Sequence, residues 1–178
     1  MIRELVSSRS LIDPQHLPMR SLLAALTSFL LCITPAIADA VALFDGKTFD
    51  GWEGDTKKVW RIKDGVIVGG SMKGNPQNEF LATKASYRNF KLKLEYKLVG
   101  TEGFVNGGVQ FWSKRIKKPP NEMIGFQADI GAGYSGCLYD ESRRRKMLAT
   151  ADKKLVEKIE KKGEWNTYEI IAEGSQIE

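Results

Sequence analysis

Five side chains that could bind or react with a polar molecule stand at alternate positions of three amphipathic runs. The runs cover residues 90–98, 108–112 and 124–130, and the side chains are Glu95, Gln110, Trp112, Gln127 and Asp129. Because neighbouring side chains on a β-strand point to opposite faces, each run can bury its apolar side and keep these residues on the other side. If the three runs share one sheet, that sheet carries a face of carboxylates, amides and an indole, which suits a polar ligand such as a sugar.

The histidine content restricts the chemistry open to this face. The sequence contains one histidine, His16, and it lies in an N-terminal segment that we expect to be removed. Without histidine, Ser-His-Asp and Cys-His catalysis and histidine-ligated zinc are excluded. Carboxylates, tyrosine, lysine or a hard metal ion held by oxygen atoms remain.

The N-terminal segment has the parts of a secretory signal peptide. Arg20 precedes an apolar run over residues 21–33, and an Ala-Ile-Ala sequence at 36–38 follows it, which predicts cleavage after the last alanine. The run is shorter than the roughly 20 residues that span a bilayer, so we expect no membrane span in the mature protein. Met19 is the more natural start for such a signal, with the preceding residues upstream of it. We therefore expect a secreted or periplasmic protein and set residues 1–38 apart from the fold.

Residues 39–178 are predicted to form a single domain. The chain has 178 residues, 42% of them hydrophobic and 28% charged, with a net charge of +5. The signal segment carries three basic and two acidic residues, so its removal lowers the net charge by one. A charge this small does not favour nucleic acid as a partner. Cys137 is then the single cysteine, which excludes an internal disulfide.

Turn signals divide the predicted domain into short strands. Asp64-Gly65 lies between two alternating runs, which predicts a β-hairpin. A helix is predicted only over residues 152–162, where Asp152 caps the start and Gly163 ends it. A series of short strands with one short helix favours an all-β fold, an antiparallel β-sandwich or jelly roll.

Seven short motifs occur in order along this domain. They are LFDGK at 43–47, FDGW at 49–52, WxxxDGVI at 60–67, FxLxLEY at 90–96, NGGVQF at 106–111, GFQAD at 125–129 and GEWNTYE at 163–169. Together they resemble the 3-keto-disaccharide hydrolase domain family. The resemblance implies a concanavalin A-like (LamG-like) jelly roll, export from a bacterium, and action on glycosides whose sugar is oxidised at C3. The chain departs from the family pattern at Trp112, where members often carry arginine. The family also normally continues with further strands, so we expect a C-terminally truncated domain.

The resemblance also implies roles for the polar residues. A ketone at C3 acidifies the proton at C2, so a carboxylate can act as general base there and the aglycone leaves by elimination before water adds. The candidate catalytic residues are Asp129 and Glu95. Candidates for binding the hydroxyls or the carbonyl are Asn106, Gln110 and Gln127, and Trp112 or Tyr139 could stack on the sugar. The same carboxylates and amides would accept Ca²⁺ or another hard divalent cation.

Two other functions fit the residues at this point. One is conventional glycoside hydrolysis by paired carboxylates, which requires the two groups about 5 to 9.5 Å apart across a sugar. The other is a carbohydrate-binding module without catalysis. In each case the expected partner is a carbohydrate. A third alternative is that the truncated chain itself is inactive although its family is catalytic.

Overall fold

The computed structural model describes the backbone of the strand at residues 2–8 and all of residues 40–178. Within this part of the chain every strand pairing is antiparallel. The elements are β1 (Ile2–Ser8), β2 (Ala40–Val41), β3 (Trp52–Glu53), β4 (Arg61–Lys63), β5 (Val66–Val68), β6 (Ala82–Thr83), β7 (Phe90–Tyr96), β8 (Asn106–Arg115), β9 (Met123–Gly131), β10 (Leu138–Glu141), β11 (Lys146–Ala149), α1 (Lys153–Ile159), β12 (Asn166–Glu173) and β13 (Gln176–Ile177).

Two main sheets contain most of these strands. The larger sheet has the order β13-β12-β7-β1-β5-β4, with β2 also paired to β1, and the smaller has the order β11-β10-β9-β8. A short ladder joins β3 to β6. This strand-rich arrangement with one short helix among the described residues confirms the predicted all-β sandwich.

The core lies between the two main sheets. The larger sheet supplies Phe90, Leu92, Leu94 and Tyr96 from β7 and Ile170 and Ala172 from β12, and the smaller supplies Phe111, Ala128 and Ile130. The rings of Phe90 and Phe111 meet edge to face across the sandwich, with their centroids 6.0 Å apart. Because side chains alternate along a strand, the residues between these core positions point away from the core.

The expectation that the three central runs share one sheet is wrong. β8 and β9 pair with each other, but β7 belongs to the larger sheet. There it pairs with β12 at seven positions, from Asn166 opposite Tyr96 to Ala172 opposite Phe90. Alternation identifies the buried face of a strand but not its partner, since pairing is decided by contacts distant in sequence.

Two local predictions are confirmed. Asp64 and Gly65 turn the chain between β4 and β5 with φ angles of 52° and 72°, as a type I′ turn requires at its two central residues. Asp152 caps α1 by accepting hydrogen bonds from the backbone N–H groups of Lys154 and Leu155. The helix ends at Ile159, three residues earlier than predicted.

The strand β1 occupies a position inside the larger sheet. Its backbone pairs with β7 over seven residues, from Ile2 opposite Tyr96 to Ser8 opposite Phe90, and also with β5 and β2. These seven residues precede the predicted boundary at residue 39, which stays a prediction. The apolar run and the predicted cleavage site lie outside the described residues.

Candidate active site

The smaller sheet carries a polar face on the side that points away from the core. It is formed by alternate residues of three strands: Asn106, Gly108 and Gln110 of β8, Gly125, Gln127 and Asp129 of β9, and Tyr139 and Glu141 of β10. Gln127 is the centre of this polar face, because it lies opposite Gln110 on one side and Tyr139 on the other. Side chains paired in this way across a ladder lie about 5 Å apart at their Cβ atoms, so they can act on one ligand.

Asp129 provides the most deeply placed carboxyl of the polar face. The residue is 6% exposed, and its Oδ1 accepts a hydrogen bond of 2.7 Å from Nε2 of Gln127. Burial raises the pKa of Asp129 above its ordinary value, and the Gln127 hydrogen bond opposes this by lowering it. The carboxyl is thus a stronger base than an exposed aspartate, held in one orientation by its neighbour.

The backbone of Asp129 is fixed from several directions. Its N–H donates to the carbonyl oxygen of Cys137 at 2.9 Å, and its own carbonyl oxygen accepts from the N–H of Gly136 at 3.1 Å. From the core side, the Tyr168 hydroxyl of β12 donates to the same carbonyl oxygen at 3.4 Å. The larger sheet therefore helps to position a residue whose side chain points away from it.

Glycine at position 108 makes room for Gln127. A Cβ atom at Gly108 would lie 2.7 Å from Cγ and 2.8 Å from Cδ of Gln127, which is closer than these atoms can approach. The Gln127 side chain therefore lies across β8 in the space that a larger residue would fill.

Gln110 carries an amide without a partner. Its Nε2 and Oε1 atoms are buried, and neither makes a hydrogen bond with the residues that the structure describes. Burying such a donor and acceptor unpaired costs on the order of 1–3 kcal/mol each. An amide left in this state beside Gln127 is available to donate to and accept from a bound polar molecule.

A second acidic group lies at the β10 end of the polar face. The Asn78 amide bridges two carboxylates, donating to Oε2 of Glu122 at 3.2 Å and to Oε1 of Glu141 at 3.4 Å. Burial raises the pKa of Glu141, and the charge of Glu122 adds to this rise. Glu141 therefore keeps its proton to a higher pH than an exposed glutamate.

The sequence analysis missed this group. Glu141 lies two residues after Tyr139 on the same strand, so continuing the alternation by one step would have found it. Asn78 and Glu122 come from segments outside the strands, where no periodicity points to a shared site. Only the folded chain brings them together.

Five of the predicted site residues lie on the polar face: Asn106, Gln110, Gln127, Asp129 and Tyr139. Glu95 does not lie with them. It is an exposed residue of β7, and its strand neighbours Leu94 and Tyr96 point into the core, so Glu95 faces away from the core on the other sheet. The core therefore separates Glu95 from Asp129.

Trp112 is also turned away from the polar face. The ladder between β8 and β9 shifts register between Phe111 and Lys114, and Trp112 has a φ angle of 46°. This bulge breaks the alternation and lets the indole pack edge to face against Phe111 and Phe126, with centroids 5.9 and 6.0 Å apart. The indole N–H donates to the carbonyl oxygen of Arg88 at 2.6 Å. The expectation that this ring stacks on a sugar beside Gln110 is not met by this geometry.

Asp129 and Glu141 are the two carboxyls of the polar face, and a cation site there stays a prediction. Among the described residues, no group of three or more carboxylate, cysteine or histidine side chains lies close enough together to hold a metal ion. Glu122 and Glu141 are joined by the Asn78 amide.

Replacing Gly108 by alanine tests how the polar face is built. The new Cβ is expected to displace Gln127 and weaken its hydrogen bond to Asp129, which raises the pKa of Asp129 further because that bond lowers it. Carboxyl ¹³C NMR of Asp129 across a pH titration measures this. Gly107→Ala is the matched control, since a Cβ there meets nothing within 4 Å. Equal titration of Asp129 in both variants would contradict the arrangement.

Comparison with known proteins agrees with this architecture. Residues 39–178 match the family described as the 3-keto-alpha-glucoside-1,2-lyase-like domain. A protein of Bacteroides thetaiotaomicron named 3-keto-disaccharide hydrolase is 38% identical in an alignment of length 73 that covers 36% of this chain and 25% of that protein. The match thus spans about a quarter of the relative's length. None of the helices in the described residues is long and apolar enough to cross a membrane. Because the family match extends over most of the sequence, the chain belongs to the 3-keto-alpha-glucoside-1,2-lyase-like domain family.

Proposed function

We propose that this protein cleaves glycosides that carry a ketone at C3, by eliminating the aglycone across C1 and C2 and then adding water. The observation that carries the proposal is that one polar face holds both the buried Asp129 carboxyl and the Gln110 amide, which has no hydrogen-bond partner among the described residues. Proton abstraction next to a carbonyl requires a general base and a hydrogen-bond donor in the same site. The names of the family and of the Bacteroides relative support the same substrate class.

The chemistry begins at C2. A ketone at C3 allows the charge left by removal of the C2 proton to spread onto the ketone oxygen as an enolate. Collapse of the enolate breaks the bond between C1 and the glycosidic oxygen, which leaves with a proton as an alcohol. Water then adds its hydroxyl group to C1 of the resulting enone while C2 regains a proton, giving the free 3-keto sugar. The sum of these steps is hydrolysis, with no oxidant or reductant consumed.

In this reaction Asp129 takes the C2 proton. Its pKa is raised by burial, which makes its ionised form a better base towards a carbon acid. The hydrogen bond from Gln127 to Oδ1 favours the ionised form and fixes the carboxylate plane. The other carboxylate oxygen then accepts the C2 proton.

Two groups stabilise the charge that develops on the ketone oxygen. The Gln110 amide lies opposite Gln127 in the ladder, and its N–H₂ group is free to donate. Tyr139 lies opposite Gln127 on the other side. Burial and the charge of Glu141 raise the pKa of Tyr139, so its hydroxyl remains a hydrogen-bond donor near neutral pH. Preorganised donors of this kind lower the barrier because they need no rearrangement as the charge forms.

Glu141 replaces Glu95 as the second carboxyl of the proposed mechanism. Burial raises the pKa of both carboxyls, the charge of Glu122 adds to the rise at Glu141, and a hydrogen bond opposes the rise in each case, from Ser142 at Glu141 and from Gln127 at Asp129. A raised pKa lets a carboxyl keep a proton that it can give to a leaving group. We assign Glu141 to protonate the departing glycosidic oxygen.

Substitution of Asp129 tests the proposal. With a nitrophenyl 3-keto-glucoside as substrate, Asp129→Asn is expected to release the aglycone about 10² to 10⁴-fold more slowly than the unaltered chain, because the general base is lost. Glu95→Gln, which changes a carboxyl on the other sheet, is expected to leave the rate unchanged.

The same assay separates the alternatives. No release by the unaltered chain together with saturable sugar binding would indicate a binding module. Equal release from the unoxidised glucoside would indicate a conventional glycosidase. Full release by Asp129→Asn would remove Asp129 from the mechanism.

The pH dependence of kcat/KM gives an independent prediction. The acid limb should lie above the ordinary pKa of aspartate, because Asp129 must be ionised and burial raises its pKa. The alkaline limb should report loss of the Glu141 proton.

Gln127→Leu removes a hydrogen bond that lowers the pKa of Asp129, so it should move the acid limb to higher pH. Glu122→Gln removes a charge that raises the pKa of Glu141, so it should move the alkaline limb to lower pH. If neither variant moves its limb of the pH profile, groups other than Asp129 and Glu141 control the pH dependence of kcat/KM.

A further inference from the structure

Two exposed aromatic rings lie together at one end of the smaller sheet. Phe104 is 74% exposed and Tyr134 is 42% exposed, and their ring centroids are 6.4 Å apart at an interplanar angle of 56°. Contact between the rings covers only part of each. The catalytic scheme above uses neither residue.

The pair is anchored next to the polar face. Asn106 pairs with Gly131 at the end of the β8–β9 ladder, and Phe104 lies two residues before Asn106. Tyr134 belongs to the turn that follows β9, where its N–H donates to the carbonyl oxygen of Gly131 at 2.8 Å. Both rings therefore extend from the end of the sheet that carries Asp129.

The two loops that hold the rings are tightly packed against each other. Gly131 has a φ angle of 87°, and a Cβ there would lie 2.6 Å from the carbonyl oxygen of Val105. Such close backbone approach requires glycine at this position. The carbonyl oxygen of Tyr134 also accepts a hydrogen bond of 2.9 Å from the N–H of Cys137. The rings are thus presented on backbone with defined positions.

We propose that Phe104 and Tyr134 form a platform on which the second sugar of a disaccharide substrate stacks while the first reacts at Asp129. A pyranose ring has an apolar face of C–H groups, and covering it with aromatic carbon removes apolar surface from water on both sides. The platform therefore selects a sugar as the leaving group. This inference rests on the proposed function, because it takes the reacting sugar to be bound on the polar face.

The size of the patch favours a sugar over a protein partner. Two partly exposed rings offer at most a few hundred Å², whereas a stable protein interface covers about 800 Å² on each partner. A single sugar ring matches the smaller area.

Comparison of two substrates tests the platform. One is a 3-keto disaccharide and the other is methyl 3-keto-glucoside, which has no second sugar. Phe104→Ala and Tyr134→Ala are each expected to raise KM for the disaccharide by roughly threefold to tenfold, with kcat and the KM of the methyl glycoside unchanged. Tyr87→Ala is the matched control, since Tyr87 is an exposed aromatic residue of a different loop. Equal changes for both substrates, or no change for the disaccharide, would overturn the platform.

A binding measurement separates this test from failure of the proposed function. Calorimetric titration of the Asp129→Asn variant with the 3-keto disaccharide requires no turnover. If Phe104→Ala in that background weakens binding of the disaccharide but not of the methyl glycoside, the platform stands even where the catalytic scheme fails. If the two sugars respond alike, the platform is wrong whatever the unaltered chain catalyses.

Discussion

The hydrogen bond from Gln127 to Asp129 depends on the packing of β9, and the candidate site depends on that hydrogen bond. Ala128 and Ile130 enter the core between the sheets, which forces Gln127 and Asp129 onto the opposite face. Burial there raises the pKa of the Asp129 carboxyl, and the amide 2.7 Å away limits the rise. The absence of a side chain at Gly108 leaves the space in which Gln127 can reach Asp129. Core packing, a glycine and one hydrogen bond thus produce a carboxyl that is both basic and oriented.

The larger sheet helps to hold this site in place from the core side, through polar contacts of its tyrosine residues. The Tyr168 hydroxyl donates to the backbone of Asp129, and the Tyr96 hydroxyl donates to Glu160 at 3.2 Å. Glu160 in turn accepts from Ser135, whose hydroxyl oxygen accepts the N–H of Gly131 at 2.8 Å. Burial raises the pKa of both tyrosines to about 12, so they remain donors at neutral pH. This network connects the end of α1 to the turn that carries Tyr134, and it joins the base and the proposed stacking platform to one rigid frame.

Features that depend on neighbouring residues could be predicted from the sequence, and those that depend on distant contacts could not. The Asp64-Gly65 hairpin, the Asp152 cap and the burial of alternate residues all follow from local rules. The assignment of Glu95 to the same face as Asp129 failed because its strand pairs with β12, whose residues lie about 70 positions further along the chain. Trp112 was assigned to the wrong face because a bulge interrupts the alternation of side chains at this position, and the alternation of apolar and polar residues in the sequence does not reveal a bulge.

In the proposed mechanism the aglycone leaves after a proton is removed from C2, and the fate of that hydrogen is the most direct test. A 3-keto-glucoside carrying deuterium at C2 would be cleaved by the protein, and the deuterium content of the released sugar followed by mass spectrometry, with exchange in the absence of protein subtracted. Deuterium is expected to be lost to solvent in step with aglycone release, and release is expected to be slower than from the undeuterated substrate. Deuterium fully retained at C2, with release as fast as from the undeuterated substrate, would contradict proton removal from C2.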